Sequence, residues 1–467
     1  MGRGLLLPLV FLSACATPPR PAPEPASLEP IGWSGDSPAL QLAVQNRVAW
    51  GANRSSYAEI ARLGSGGWLD LQLRPAPARL PAEAQAAIDA MTISQRPLAE
   101  IAADLEAQRK AERKAYQQEL GRLAREAQTR MLLRALYSPN QLEEHMTWFW
   151  MNHFSVFQFK GPVRGLVADY EEHAIRPHAL GRFRDLVGAS ARHPAMLVYL
   201  DNARNRAGRL NENYARELME LHTLGVDGGY TQRDVEALAH ILTGWSLELG
   251  NGELSRFYPR RHDFADKVFL ATVVKGRGAA ELDQALDLLA RHPSTARFVS
   301  RKLALFFVAD EPPPALVERM AQAFVATDGD IASVLREMFA APQFRASLGG
   351  KFKDPLHYAL SALRLVLDQR PLPDPQAVIG ALARMGEPLY GRPTPDGYPL
   401  TRTEWASPGQ LAMRFEIAHA MAYRIPVRVP TDLAPPMAAA TRDTLAKASS
   451  PQEWNLLVLA SPEFMHR

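Results

Sequence analysis

Carboxylates, imidazoles, amides and a guanidinium crowd into one stretch, NENYARELMELHTLGVDGGYTQRDVEALAHILTGW, from Asn211 to Trp245. At about 100° per residue a helix over its first part puts Asn213, Arg216, Glu217 and Glu220 on one arc, while Tyr214, Leu218 and Leu221 fall on another that suits a core. Asn211 is placed to cap that helix. Solvated helix faces usually carry Lys, Gln and Ala; this one carries two carboxylates, an arginine and an asparagine. If the arc lines a cleft, Glu217 and Glu220 raise each other's pKa, which equips one of them as a proton donor with Arg216 steadying charge. If it faces water, Arg216 and Glu220 form an i,i+4 ion pair of roughly a few tenths of a kcal/mol.

Thr231 and Asp234 form a capping box for a second helix, whose polar face carries Glu236, His240 and Thr243. Antiparallel packing of the two helices would bring His222 or Glu217 near His240, so His222 and His240 are candidate ligands for a divalent metal. The Glu-x-x-x-His spacing is nonetheless commonplace in helical proteins. His262-Asp263, with Lys267 four residues on, is a candidate acid/base pair or equally a loop anchor. Upstream, His145, Trp148 and Asn152 share one helical face, a pattern that fits a ligand wall in which the indole stacks and the amide orients. His153 points elsewhere on that helix and joins the candidate binding set. The competing reading of FWMNHF is a tryptophan-rich core helix.

Other chemistries lack support. The chain has no GxSxG, HExxH, Walker, dinucleotide or EF-hand pattern, and no cysteine pairs for a zinc ribbon. Among 467 residues, 53 Lys+Arg against 50 Asp+Glu leave a formal charge of only +3, which does not favour a nucleic-acid partner. At 47% hydrophobic and 22% charged, the composition suits a globular protein and excludes wholesale disorder.

The single cysteine, Cys15, lies in MGRGLLLPLVFLSACATPP, where Leu12-Ser13-Ala14-Cys15 follows a positive start and a short apolar run. This resembles a lipoprotein signal over residues 1–14, with Cys15 as the acylated residue; an ordinary secretory signal is the alternative. The run is too short to span a bilayer. Residues 15–36 are proline-rich and read as an extended tether, at roughly 3.1 Å per residue. Because Ala16 rather than Asp follows the cysteine, the expected location is the periplasmic face of the outer membrane.

The elements that must position these residues are almost all helical. Apolar spacing of three and four residues runs from about Ser37, so residues 37–467 are expected to form one mainly α, multi-helix domain. Ser55 is expected to open one helix, Ser138 with Gln141 to form a capping box for another, and Leu98 to Tyr137 to form one long ion-paired helix. One interruption, about 245–274, predicts a small inserted antiparallel sheet: a hairpin around Asn251-Gly252, with Lys267 to Val274 as a third strand.

FWMNHFSV, AMLVYLDN, the Asn211 to Trp245 stretch, FYPRRHDFADKVFL, PTPDGYP and SPEFMHR, in this order, resemble the bacterial family known as domain of unknown function 1800, from about Ala43 to Arg467. Relatives often carry His where this chain has Met151. The resemblance implies an exported protein, often encoded beside a sulfatase-like protein of the domain of unknown function 1501 family, and it supplies no catalytic residue or cofactor. The function expected from residues and resemblance together is action on, or binding of, an envelope or extracellular polymer. The competing expectation is a non-catalytic assembly lipoprotein whose polar block specifies the core.

Overall fold

The computed structural model describes residues 31–33, 35–247, 254–424, 428–430 and 432–467. Cys15 and the proline-rich segment through residue 30 lie outside them. The described chain is mainly α, with 23 α-helices and two small antiparallel sheets among the described residues. None of those helices is long and apolar enough to cross a membrane.

Local chemistry sets the helix ends. Asn53, not Ser55, opens the helix Arg54–Gln72: its side chain accepts from the Ser56 amide at 2.8 Å in a reciprocal capping box. The expected long helix is two, Leu98–Ala111 and Arg113–Tyr137, broken at Glu112, whose backbone is extended. The break folds the first helix back so that Ile101 and Leu105 bury against Tyr116, Leu120 and Leu123. Two buried leucine-sized side chains, at roughly 1.5–3 kcal/mol each, outweigh the bonds lost at one junction. The capping box expected of Ser138 and Gln141 does not form: Ser138 ends the helix Arg113–Tyr137 and its hydroxyl accepts from the Asn140 amide at 3.2 Å, while Gln141 turns inward, accepting from the Trp50 amide at 3.2 Å and donating to the Ala135 and Ser138 carbonyls.

Six helices position the site: α1 (Gln141–His153), α2 (Asn213–Glu220), α3 (Gln232–Ile241), α4 (Ala280–Ala290), α5 (Pro293–Phe307) and α6 (Pro355–Leu367). The capping box predicted for Thr231 and Asp234 opens α3. Strands β1 (Trp245–Leu247) and β2 (Ser255–Phe257) pair antiparallel, Trp245 opposite Phe257; the Asn251-Gly252 turn lies outside the described residues. Lys267–Val274 is not a third strand of that sheet. Leu270 and Ala271, both at positive φ, reverse the chain so that β3 (Lys267–Phe269) pairs with β4 (Thr272–Val274) as a separate hairpin. The Leu270 amide donates to Asp234 at 2.8 Å and ties that hairpin to the start of α3.

One large hydrophobic core runs through the domain, with Trp50, Trp68, Trp150, Tyr170 and Phe183 fully buried, and the small cluster at Ile101 and Leu105 lies apart from it. The two ends of the folded chain meet in it. Buried Arg47, in the helix Pro38–Val48, donates to the Arg467 carbonyl at 2.6 Å, and Arg467 donates to the Phe306 carbonyl at 2.9 Å.

Candidate functional site

The polar block separates into two clusters. The first lies on α2. Glu212, just before the helix, holds Arg216 at 3.1 Å, and Arg216 reaches Glu220 at 3.5 Å. Gln232, the first residue of α3, donates to Glu212 at 2.9 Å and accepts from Arg216 at 2.9 Å. Glu217 stands apart: half-buried, with no hydrogen-bond partner for its carboxyl among the described residues. Burial, then the Glu220 charge, push the Glu217 carboxyl above the usual range; Arg216 opposes this and Asp396 adds to it. Burial and Glu220 together raise the Tyr230 phenol to about 12.

Asp396 comes from a loop, residues 391–399, that α1 holds in place. The Asn152 side chain accepts from the Tyr398 amide at 2.6 Å and donates to the Tyr398 carbonyl at 3.0 Å. Tyr199 donates to the Pro393 carbonyl at 2.9 Å. Burial works against the Asp396 charge, but hydrogen bonds from Arg392 and Thr394 hold its carboxyl below the usual range. On α5, burial brings the Lys302 ammonium down to about 8 while Asp396 opposes the shift, and its Nζ lies 5.5 Å from the centre of the Phe298 ring.

Behind Lys302 lie two histidines. His222 is fully buried, its ring nitrogens have no hydrogen-bond partner, and burial followed by the Lys302 charge takes it down to about 3. His153, its ring centre 6.0 Å away, donates from Nε2 to the His222 carbonyl at 3.0 Å.

The second cluster joins α3, the segment after β2 and α4. His262 contacts Glu281 at 2.9 Å and the Thr243 carbonyl at 2.8 Å; Lys267 donates to Glu281 at 2.6 Å and to the Asp263 carbonyl; the Gly278 amide also donates to Glu281, at 2.8 Å. The His262 and Glu281 side chains are wholly excluded from solvent. At its edge His240 lies 2.7 Å from Asp263, both partly exposed. The Ala265 amide, then Lys267 and His240, hold the Asp263 carboxyl low.

The predicted residues therefore do not converge on one pocket. His240, His262, Asp263 and Lys267 form one set, and Glu217, Glu220 and Arg216 another. His222 sits in the core beside His153, in surroundings different from those of His240. No group of three or more His, Cys, Asp or Glu suited to a metal ion occurs among the described residues. Trp148 is 5% exposed and packs near Tyr390, so it offers no open stacking face. His145 is fully buried, bonded to the Val48 carbonyl at 2.9 Å and facing the Nε2 of His357 on α6.

Asn211 accepts from the Asn213 amide at 3.0 Å, and Asn213 donates to the Leu200 carbonyl at 3.1 Å, so both amides brace the loop before α2. A cavity of about 460 Å³ opens there, lined by Asp201, Arg204, Arg209, Leu210, Asn211 and Glu212. Lys302, Asp396 and Tyr230 are charged or polar neighbours that sequence reasoning missed. Asp396 lies in PTPDGYP and Tyr230 in the Asn211 to Trp245 stretch, whereas Lys302 falls in no such motif.

A family model described as "Protein of unknown function (DUF1800)" matches residues 43–466. No curated protein and no solved structure matches the chain.

Proposed function

Because the chain belongs to the family described as protein of unknown function DUF1800, a description that assigns no activity, we propose its function from the site alone: it binds, and by acid/base chemistry cleaves, an envelope or extracellular polymer at the face of α2. The carrying observation is Glu217, a half-buried carboxyl without a hydrogen-bond partner, held above its usual pKa by burial and by Glu220. A carboxyl shifted in that direction holds its proton to higher pH than a free one and is the better placed to deliver it to a leaving oxygen. Asp396, kept ionised by Arg392 and Thr394, supplies a nearby carboxylate to take up a proton or steady positive charge. Lys302 and Arg216 offer cations for developing negative charge. The cavity at Asn211 and Glu212 gives a chain-like ligand room beside the helix. In this reading Cys15 is acylated and tethers the domain to the periplasmic face of the outer membrane.

The test is a turnover screen of envelope and extracellular polysaccharides with wild type, Glu217→Gln and Glu220→Gln, each checked for folding. Loss of turnover in a folded Glu217→Gln protein supports the reading. If both variants unfold, or both match wild type, the acid/base role fails.

A second reading is favoured by the closed network of His262, Lys267 and Glu281, which has the form of a core-specifying set of satisfied groups. The protein would then be a non-catalytic assembly lipoprotein, with a sulfatase-like partner of the domain of unknown function 1501 family. Co-purification of that neighbour with the full chain, in the absence of turnover, would favour it.

A further inference from the structure

The segment RNRAGR, residues 204–209, and the end of the segment 256–261 bring four exposed arginines together: Arg204, Arg206, Arg209 and Arg261. The two segments are joined by the Ala207 amide, which donates to the Arg261 carbonyl at 2.8 Å. None of the four has a carboxylate partner among the described residues, although Arg216, Arg184 and Arg192 all do. Arg204, Arg206, Arg209 and Arg261 line a second cavity, of about 360 Å³, and Arg204 and Arg209 also line the 460 Å³ cavity at Asn211 and Glu212. The two cavities thus share a wall and reach Asn211 and Glu212, just before α2.

The loop bearing these arginines is firmly held. Buried Asn205 donates to the Ala239 carbonyl at 2.8 Å and accepts from the Asn211 amide at 3.0 Å. Buried Asn202 donates to the Leu242 and Trp245 carbonyls, each at 3.2 Å. Arg204 and Arg206 therefore flank a pegged residue and are presented from a fixed backbone, which lowers the ordering cost of a ligand. Clustered like charges repel one another, and a guanidinium fork matches sulfate, phosphate or carboxylate oxygens two at a time. Asp201 and Glu212 also line the larger cavity but are paired with Lys160 and Arg216, so a bound polyanion would meet the four arginines as the cations without a carboxylate.

We propose that the arginine-lined cavities are an anion subsite for an acidic polysaccharide, which runs from Arg206 and Arg261 past Arg204 and Arg209 to Asn211. This rests on the polymer-site reading of α2 and names its substrate class. The two adjoining cavities, of about 360 and 460 Å³, leave room for a short run of sugars. No aromatic side chain lines either cavity, which disfavours the base stacking of a single-stranded nucleic acid.

The test is titration of the purified full chain with a heparin-derived hexasaccharide, with uncharged chitohexaose, with equimolar phosphatidylcholine/phosphatidylglycerol vesicles and with oligo-dT. The expected result is preference for the heparin fragment over the other three. Arg206→Gln/Arg209→Gln should bind it about tenfold more weakly and with a shallower salt dependence, at unchanged thermal stability, whereas Arg74→Gln/Arg79→Gln should bind as wild type. Equal binding by wild type and the Arg206/Arg209 variant, no binding by wild type, or equal or tighter binding of vesicles, chitohexaose or oligo-dT overturns the proposal. Glu217→Gln separates the two readings: if the folded variant both binds the heparin fragment and turns substrate over as wild type does, the acid/base role fails and the subsite stands.

Discussion

Gly397 lies so close to Asn152 that a Cβ on the glycine would sit 2.2 Å from the Asn152 carbonyl oxygen and 2.8 Å from its side-chain oxygen. Its φ of +76° is also one that side chains disfavour. The close approach lets the Asn152 amide exchange two hydrogen bonds with Tyr398, and this pairing sets the loop that carries Asp396. Gly397→Ala should therefore cost about 2 kcal/mol or more through strain and lost bonds. The same change should reduce whatever function depends on Asp396. Thermal unfolding and the polysaccharide screen read the two effects, and an unchanged Tm would mean that the loop is not clamped.

His222 gives a pH dependence with a definite sign. Its ring is fully buried without a hydrogen-bond partner, and its folded pKa is about 3, against about 6.5 in an unfolded chain. Between these values the unfolded state binds the extra proton and the folded state does not, so stability rises with pH across the window and is lost as pH falls below about 6.5. His222→Leu removes this group's contribution. Because it also removes an unpaired buried polar group, the variant should be at least as stable as wild type near pH 7 and less sensitive to acid. Denaturant midpoints at pH 7 and pH 5 test this; equal acid sensitivity in both proteins would refute it.

Glu281 is the hub of the closed cluster, contacting His262, Lys267 and the Gly278 amide from a fully buried position. Glu281→Ala leaves the buried Lys267 ammonium without its carboxylate, which should cost on the order of 3–5 kcal/mol. Replacing both partners, Glu281→Met with Lys267→Met, removes the uncompensated charge and should recover part of that loss. Urea denaturation of the single and double variants distinguishes the cases: if the double variant is no better than Glu281→Ala, the ion pair does not account for the cost.

Much of the fold is legible in the sequence because helix periodicity and caps are local. The Thr231 and Asp234 box and the antiparallel pairing of Trp245 with Phe257 follow from short-range chemistry. The break at Glu112 does not, since it depends on Ile101 and Leu105 finding Tyr116 and Leu120 after the chain folds back. At the site, spacing identifies the α2 arc but cannot tell that Gln232 approaches Glu212 and Arg216 while His240 meets Asp263. Lys302 and Asp396 are about 85 to 180 residues from Glu217 in the chain, beyond any local pattern. The formal charge of +3 hides the arginine surface as well, because a net charge says nothing of where like charges gather once the chain is folded.

The strongest check on Glu217 is its own titration. Burial and the Glu220 charge raise its folded pKa above the value of about 4.5 it has when unfolded. The folded state then holds a proton that the unfolded state has released, so this residue's contribution favours folding below about 4.5 and is lost as pH rises through the folded value. Glu220→Gln removes the neighbouring charge and should move the Glu217 pKa down, while burial keeps part of the elevation. Carboxyl-carbon NMR titration of wild type and Glu220→Gln measures the change directly. A Glu217 carboxyl that titrates in the ordinary range in wild type, or one that is indifferent to Glu220, would remove the physical basis for its role as proton donor.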